Sequence, residues 1–520
     1  MTIAARHIAA ALVLAAMASP GRADAQTAPP ADLDQFVARV QEHFEVPGIG
    51  LAIVKDGKIV LARGYGVRTM GKPERVDGKT LFGIASNTKA FTATGIALLV
   101  EEGKLAWDAP VTRYLPWFAL SDPYVTREIT VRDLLVHRSG LGLGGGDLLW
   151  WPPSTYDRKE VARRLRYVPL ATSFRSAYAY DNVLYTVAGE LIETVSGMPW
   201  EEFITGRILK KVGMNGTTVR HSEGGANAAT PHGRVEGTVR VVKSFSSDNT
   251  NPAGGINSSA EEMAKWLIVQ LDSGRVADGS RLFSPRTTRQ LWTVVTPRST
   301  GIPAPELMPL RRNFSGYGLG FDLNDYRGKK MVSHTGGLPG YLSMVSMIPE
   351  LKLGIVVLTN QESGDAFEAI TYHIMDHYLG APPHDWFGAF RAVAARRDSA
   401  IAAAERKTES ARDSTSRPSL PAARYGGTYA DPWYGDIVIT EEKGALVLRF
   451  SHTPSLVGDL VHWQYDTFLV RWRDRELKAD AFITFALTPD GTIERAKMRA
   501  ASPSVDFSFD FQDLLLTPRN

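Results

Sequence analysis

Apolar residues first recur at helical spacing at Leu33, Phe36, Val37, Val40 and Phe44, which predicts a helix. The period then changes. Leu51-Ala52-Ile53-Val54 and Ile59-Val60-Leu61-Ala62 flank Asp56-Gly57, a strong turn signal, and predict a β-hairpin over 48–66. Residues 90–100 are apolar almost throughout and predict a helix ending near Gly103. Thr130 to His137 reads as a short helix capped by Thr130, and Val183 to about Val195 as a longer apolar one. Met263, Trp266, Leu267 and Leu271 mark one face of another. The Asn251-Pro252-Ala253-Gly254-Gly255 stretch before it reads as structural, its glycines allowing a turn or close packing. Strand-like runs follow at Gly318–Phe321, Ser343–Met347 and Gly354–Thr359.

The last quarter reads differently. Trp386, Phe390, Val393 and Ile401 sit among many Ala, Arg and Glu, as in a connecting helix over 386–412. Asp413-Ser414-Thr415-Ser416-Arg417-Pro418-Ser419 is a polar linker and marks a boundary. Short apolar runs then alternate with turns, among them Ile437-Val438-Ile439, Leu446-Val447-Leu448, Thr467–Val470 and Phe482–Phe485, with Pro489-Asp490-Gly491 at a hairpin. Roughly eight short strands predict a small antiparallel barrel. The 520 residues exceed one ordinary core. The division expected is a first domain over 26–385, a helical and polar linker over 386–423, and a barrel over 424–520.

Residues 1–25 read as a secretory signal. Arg6 supplies the positive start, Ile8 to Ala18 the apolar core, and Ala23-Asp24-Ala25 the small-x-small cleavage pattern. The expectation is a periplasmic or secreted protein. The apolar core is too short to span a bilayer comfortably, and no later segment is long and apolar enough to cross one. A net charge of +3 is too small to argue for nucleic acid or an anionic membrane. The absence of cysteine excludes disulfides, thiol catalysis and cysteine-ligated metals. The glycine run over 142–146 lacks the Gly-Lys-Ser/Thr end of a phosphate loop, so it reads as a flexible surface loop. Trp150-Trp151-Pro152-Pro153 either walls a substrate cleft or packs as an aromatic pair. His373 and His377 approximate an inverted zinc-protease pattern, with Asp376 in place of Glu. No third ligand is evident, and they read as part of an ordinary amphipathic helix, with no metal or cofactor expected.

The candidate chemistry begins at Ser86-Asn87-Thr88-Lys89. A hydroxyl and an amine stand one helical turn apart, with Ser86 at a helix start. A serine hydroxyl needs a base within hydrogen-bond reach, and a lysine can be that base if burial or nearby positive charge lowers its pKa. The Ser86 N–H, at the helix start, is free to face a developing oxyanion. Tyr180-x-Asn182 adds a tyrosine able to shuttle a proton, and an amide that binds a substrate carbonyl or orients Lys89. His334-Thr335-Gly336-Gly337 reads as an edge strand that can pair with an extended substrate backbone, with the Gly337 N–H as second oxyanion donor. Each signal taken alone also reads as a cap, a core side chain or a turn.

Taken together and in this order, they resemble the serine β-lactamase and penicillin-binding-protein superfamily. The Tyr-x-Asn element and the stretch Leu134-Leu135-Val136-His137-Arg138-Ser139-Gly140-Leu141 are similar to the class C branch and its esterase and peptidase relatives. The resemblance covers roughly residues 30–380. It implies an acyl-enzyme on Ser86, general base and acid work shared by Lys89 and Tyr180, and an oxyanion held by the N–H groups of Ser86 and Gly337. It implies an α/β (α+β) fold in which a helical domain is inserted between the strands of an antiparallel sheet, with the cleft between them. The C-terminal strands look like the lipocalin-like domain found after some of these hydrolases. Such enzymes usually carry Lys-Thr-Gly where this chain has His334-Thr335-Gly336. A histidine, with an ordinary pKa near 6.5, is mostly neutral at pH 7 and resembles the esterases and aminopeptidase-like members. The expectation is an exported, metal-independent serine hydrolase acting on a small-molecule ester, peptide or amide. A β-lactamase or D-alanyl-D-alanine carboxypeptidase is the alternative, and a non-catalytic penicillin-recognising protein a third. Homo-oligomer formation stays open.

Overall fold

The computed structural model describes residues 28–519. The secretory-signal expectation over 1–25 lies outside the described residues. Helix α1 (Leu33–Phe44) buries the five apolar positions that predicted it. The chain then enters the hairpin of β1 (Gly48–Lys55) and β2 (Lys58–Gly66). Asp56 and Gly57 both take positive φ, +51° and +76°, as a two-residue turn that matches strand twist requires. β1 is an unbroken apolar run because both its faces are buried. Ile49, Leu51 and Ile53 join one apolar cluster, and Ala52 and Val54 join another.

The hairpin is one edge of an eight-stranded antiparallel sheet. The other strands are β3 (Thr296–Pro297), β4 (Ser315–Tyr317), β5 (Asp322–Tyr326), β6 (Lys329–Leu338), β7 (Tyr341–Ile348) and β8 (Leu353–Thr359), in the order β2-β1-β8-β7-β6-β5-β4-β3. Between β2 and β3 the chain builds a mostly helical layer that includes α2 (Thr88–Glu101), α3 (Val183–Ser196) and α4 (Ala260–Leu271). Phe91 of α2 stacks on Trp266 of α4 with centroids 4.0 Å apart. The opposite face of the sheet is covered by α1, α5 (Gly364–Leu379) and the start of α6 (Trp386–Ser410). His373 and His377 of α5 bond to Asp32 and to the Ala28 carbonyl, each at 3.0 Å, and so tie the N-terminal segment down.

Two local expectations are corrected. Gly318–Phe321 is not a strand but the turn between β4 and β5. The Gly318 N–H donates to the Phe321 carbonyl at 2.8 Å, and Gly320, at φ +81°, lies against Lys89 and Ala90. Glycine at both positions favours that turn over extended pairing. The helix read over Thr130–His137 narrows to a 3-10 turn over Asp133–Leu135. The expected cap is kept and answered: the Thr130 hydroxyl oxygen accepts from the Asp133 N–H at 3.4 Å, and Asp133 Oδ2 accepts from the Thr130 N–H at 3.0 Å and from its hydroxyl at 2.7 Å.

After α6 come β9 (Gly427–Asp431), β10 (Gly435–Glu442), β11 (Ala445–Phe450), β12 (Val457–Gln464), β13 (Thr467–Trp472), β14 (Ala481–Leu487), β15 (Ile493–Ala500) and β16 (Thr517–Pro518). Consecutive strands from β9 to β15 pair antiparallel, and β16 returns to β9. Leu516 exchanges backbone bonds with Ala496 of β15 at 2.8 and 3.0 Å, which nearly closes an eight-stranded barrel. Its apolar interior is continuous with that of the helical layer, through Tyr156, Trp433 and Tyr434. The Tyr156 hydroxyl donates to the Tyr434 carbonyl, and Arg164 to the Trp433 carbonyl at 3.0 Å.

Candidate active site

Ser86 sits in a one-turn 3-10 segment (Ala85–Asn87) directly ahead of α2. Ser343 of β7 fixes this segment: its hydroxyl donates to the Ile84 carbonyl at 2.7 Å and accepts from Asn87 Nδ2 at 2.8 Å. β6 closes in beside it. A Cβ on Gly336 would meet the Ile84 carbonyl oxygen at 2.2 Å and Ser86 N at 2.9 Å, so only glycine permits this approach.

Lys89, one turn further on, is fully buried. Its Nζ lies 3.0 Å from Ser86 Oγ, 2.7 Å from Asn182 Oδ1 and 3.0 Å from the Ala253 carbonyl oxygen. The two carbonyl oxygens can only accept, so they take both N–H groups of a neutral amine. The nitrogen lone pair is then left facing the Ser86 hydroxyl. Burial pulls the amine down to about 7, while Asp147 and Asp181 pull the other way.

The Asn182 amide is oriented in turn by Asp147. Asn182 Nδ2 donates to Asp147 Oδ2 at 2.8 Å, the Ser508 hydroxyl donates to the same oxygen at 2.9 Å, and Trp150 Nε1 donates to Oδ1 at 2.9 Å. Burial nonetheless pushes the Asp147 carboxyl up to about 7. Ser508 comes from the barrel's last loop. Two residues on, Asp510 accepts from the N–H groups of Gly146 and Leu148 at 2.7 and 3.0 Å. The glycine run over 142–146 is therefore not a flexible surface loop. It is clamped between the helical layer and the barrel, with Gly144 and Gly146 at φ +69° and +86° and the Gly144 N–H donating to the Tyr180 carbonyl at 2.9 Å.

Tyr180 lines the same pocket as Ser86, and burial holds its hydroxyl's pKa well above the ordinary phenol value. Its ring centroid is 4.9 Å from Lys89 Nζ. Asp181 takes the capping role, its Oδ1 accepting from the Leu184 N–H at 3.3 Å, which leaves the Asn182 side chain to Lys89. His334 Nδ1 lies 2.5 Å from the Thr335 carbonyl oxygen and must donate to it; Nε2 then accepts from the Tyr317 hydroxyl at 2.8 Å. Burial pushes this imidazole down to about 4, so it is neutral at pH 7.

The edge expected at His334-Thr335-Gly336-Gly337 is real only locally. β6 pairs with β5 as far as Ser333, and beyond that with β7 alone. Only Val332 and Ser333 pair on both sides; from His334 onward one edge of the strand is free, and there Thr335 and Gly337 are exposed. All eight residues singled out from the sequence converge here. Ser86, Tyr180, Asn182, His334, Thr335, Gly336 and Gly337 line one pocket of about 320 Å³, with Lys89 behind Ser86. Trp150 and Trp151 do both things expected of them: they pack edge-to-face at 5.4 Å and line this pocket. Four residues of the site were not anticipated: Asp147, Ala253, Tyr317 and Ser508. Asp147 had a faint signal, as a lone charge in the apolar run Leu148-Leu149-Trp150-Trp151. Ala253 acts through its backbone, and Tyr317 and Ser508 carry no local pattern at all.

A serine beside a desolvated amine, in a cleft between a helical layer and an antiparallel sheet, defines the class: this is a serine hydrolase. The chain belongs to the Beta-lactamase family, whose pattern matches residues 33–379. Residues 411–518 match a domain of unknown function (DUF3471). An unguisins hydrolase of Aspergillus campestris is 28% identical over 485 residues, 89% of this chain and 88% of the relative. The octameric penicillin-binding protein homologue from Pyrococcus abyssi shares the fold with a TM-score of 0.59 at 23% identity, over 93% of this chain and 99% of that one. The D-amino acid amidase from Ochrobactrum anthropi SV3 does so with a TM-score of 0.55 at 24% identity, over 67% and 98%.

Proposed function

We propose that this chain is an exported hydrolase that cleaves an amide or ester bond through an acyl-enzyme on Ser86. The observation that carries the reading is the fully buried Lys89 amine 3.0 Å from the Ser86 hydroxyl, where burial lowers its pKa to about 7 and favours the neutral base. In the proposed first step Ser86 Oγ bonds to the carbonyl carbon while its proton passes to Lys89 Nζ. The oxyanion forms between the N–H groups of Ser86 and Gly337. Tyr180, protonated and beside Ser86, relays a proton to the leaving nitrogen or oxygen as the carbonyl reforms. Water then repeats the sequence on the acyl-enzyme, its proton taken by the same amine. The relative from Aspergillus campestris, named a hydrolase, agrees with the reaction class. The neutral His334 favours a peptide or ester over a β-lactam, since it places no fixed positive charge beside the nucleophile. Export rests on the pattern of residues 1–25.

The test is intact-mass spectrometry after treatment with a fluorophosphonate, beside Ser86→Ala. One adduct on the parent protein and none on the variant is the expected result. A folded parent protein that takes no adduct would sink the proposal. A panel of p-nitrophenyl esters, D- and L-aminoacyl amides and nitrocefin then separates esterase and peptidase from β-lactamase.

A further inference from the structure

The catalytic pocket is not closed at both ends. Trp151, Gly337, Leu338 and Asp506 also line a second, larger cavity of about 770 Å³, so the two are continuous along the edge half of β6. The two ends of the combined cleft differ in chemistry. The end away from the second cavity is polar, carrying Tyr178 and the Arg298–Asp322 ion pair at 2.7 Å. The large end is walled by Trp151, Phe245 and Leu338 from the hydrolase domain and by Leu477 and Phe509 from the barrel. Trp151 stacks on Phe245 with centroids 5.0 Å apart, so that wall is held in place.

The charges around this cavity are already partnered. Lys243 pairs with Asp474 at 2.6 Å, Glu476 with Arg240 at 3.1 Å, and Lys478 with Glu362. Asp506 accepts from the Ser508 N–H at 2.9 Å, and burial raises its pKa towards the uncharged form. The walls therefore offer a ligand shape and apolar surface, with no unpaired charge to meet an ionic group. A cavity of this size takes a group as large as a drug-sized ligand, whereas the catalytic pocket, at about 320 Å³, lies at the small end of the range that ligand sites occupy.

We infer that this cavity is a substrate subsite, built jointly by the two domains, for a bulky, uncharged, apolar arm of the ester or amide that Ser86 attacks. The inference rests on the acyl-enzyme reading above and narrows its substrate class. Hydrophobic peptides and large aryl or alkyl esters fit; amides of small free amino acids leave the cavity empty. Because an extended substrate can lie along β6 in either direction, the arm belongs to the acyl side or to the leaving group, and both are tested.

The experiment measures kcat/KM for two ester series on the full chain. One keeps p-nitrophenol and enlarges the acyl group from acetyl to phenylbutyryl. The other keeps the acetyl group and enlarges the aryl alcohol. Both are run on the parent protein and on Ser244→Trp and Ser455→Trp, which fill the cavity from its two domains and touch none of the catalytic groups. The expected result is a preference of at least tenfold for the bulky member of one series. Each filling variant loses that preference and turns over the acetyl parent within about twofold of the unaltered protein. A same-sized ester ending in a carboxylate is expected to lose at least tenfold against its uncharged counterpart. No size preference in either series, or one that survives both filling variants, overturns the inference. Should a tryptophan variant fail to fold, Ser244→Leu gives the same reading at smaller amplitude. The acyl-enzyme reading fails separately, when the parent protein turns over neither acetyl ester and takes no fluorophosphonate on Ser86.

Discussion

Lys89 shows how a common residue type becomes a base through its neighbours alone. Among the described residues no cation accounts for the lowered pKa; burial does it, and Asp147 and Asp181 oppose it. The protonated amine is inactive as a base, so the fluorophosphonate labelling rate is expected to rise with pH and level off above about 7. A profile flat from pH 5 to 9 would remove Lys89 from the mechanism. Lys89→Ala is expected to slow labelling by about 10²–10⁴-fold, the usual reach of a general base. Asp147 stabilises the charged amine, so removing its charge lowers the amine further. Asp147→Asn is expected to move the rise to lower pH, and a shift upward would contradict the assignment. The two groups sit in one buried network, so the measured midpoint belongs to the pair.

At the scale of elements, the site is a meeting of one helix start, one helix entrance and one half-edge strand. The most demanding contact is the one at Gly336, where the strand passes the nucleophile with no room for a methyl group. Gly336→Ala is expected to push β6 away from the segment carrying Ser86. A loss of about 1–3 kcal/mol in urea unfolding should follow, with labelling slowed at least tenfold because the Gly337 N–H moves with the strand. Unchanged labelling in a folded variant would show that the strand does not position the oxyanion. The Ser-x-x-Lys and Tyr-x-Asn spacings were legible because each lies within one helix start or entrance, where sequence distance sets spatial distance. The turn at Gly318–Phe321 was misread because a short apolar run does not distinguish a strand from the bend that joins two.

At the scale of the whole molecule, the barrel is part of the site. The Ser508 hydroxyl is the far end of a hydrogen-bonded chain that runs through Asp147 and Asn182 to Lys89. Ser508→Ala removes one donor from Asp147 and is expected to slow labelling several-fold with the fold intact. The same rate in variant and parent would make the contact structural only. Asp510 accepts from the N–H groups of Gly146, at the end of the clamped glycine run, and of Leu148 just beyond it. Asp510→Ala leaves both buried and unpaired, at about 1–3 kcal/mol each, and is expected to lower the urea midpoint by a corresponding amount. A midpoint unchanged by the substitution would mean that the interface does not depend on this carboxylate.

The sequence by itself determined the elements and the reactive groups. Local periodicity specifies α1 and the first hairpin; helical spacing places Ser86 and Lys89 one turn apart; a density of short runs and turns specifies the barrel. All of these are properties of residues near one another along the chain. Only the tertiary structure decided what surrounds the nucleophile. Asp147, Ala253 and Ser508 come from three distant segments, and they gain their meaning by being buried together in a space that excludes water. The glycine run looked mobile because glycine lacks a side chain. It is fixed because the barrel's Asp510 supplies the acceptors its backbone needs, and no local pattern records a partner 364 residues away.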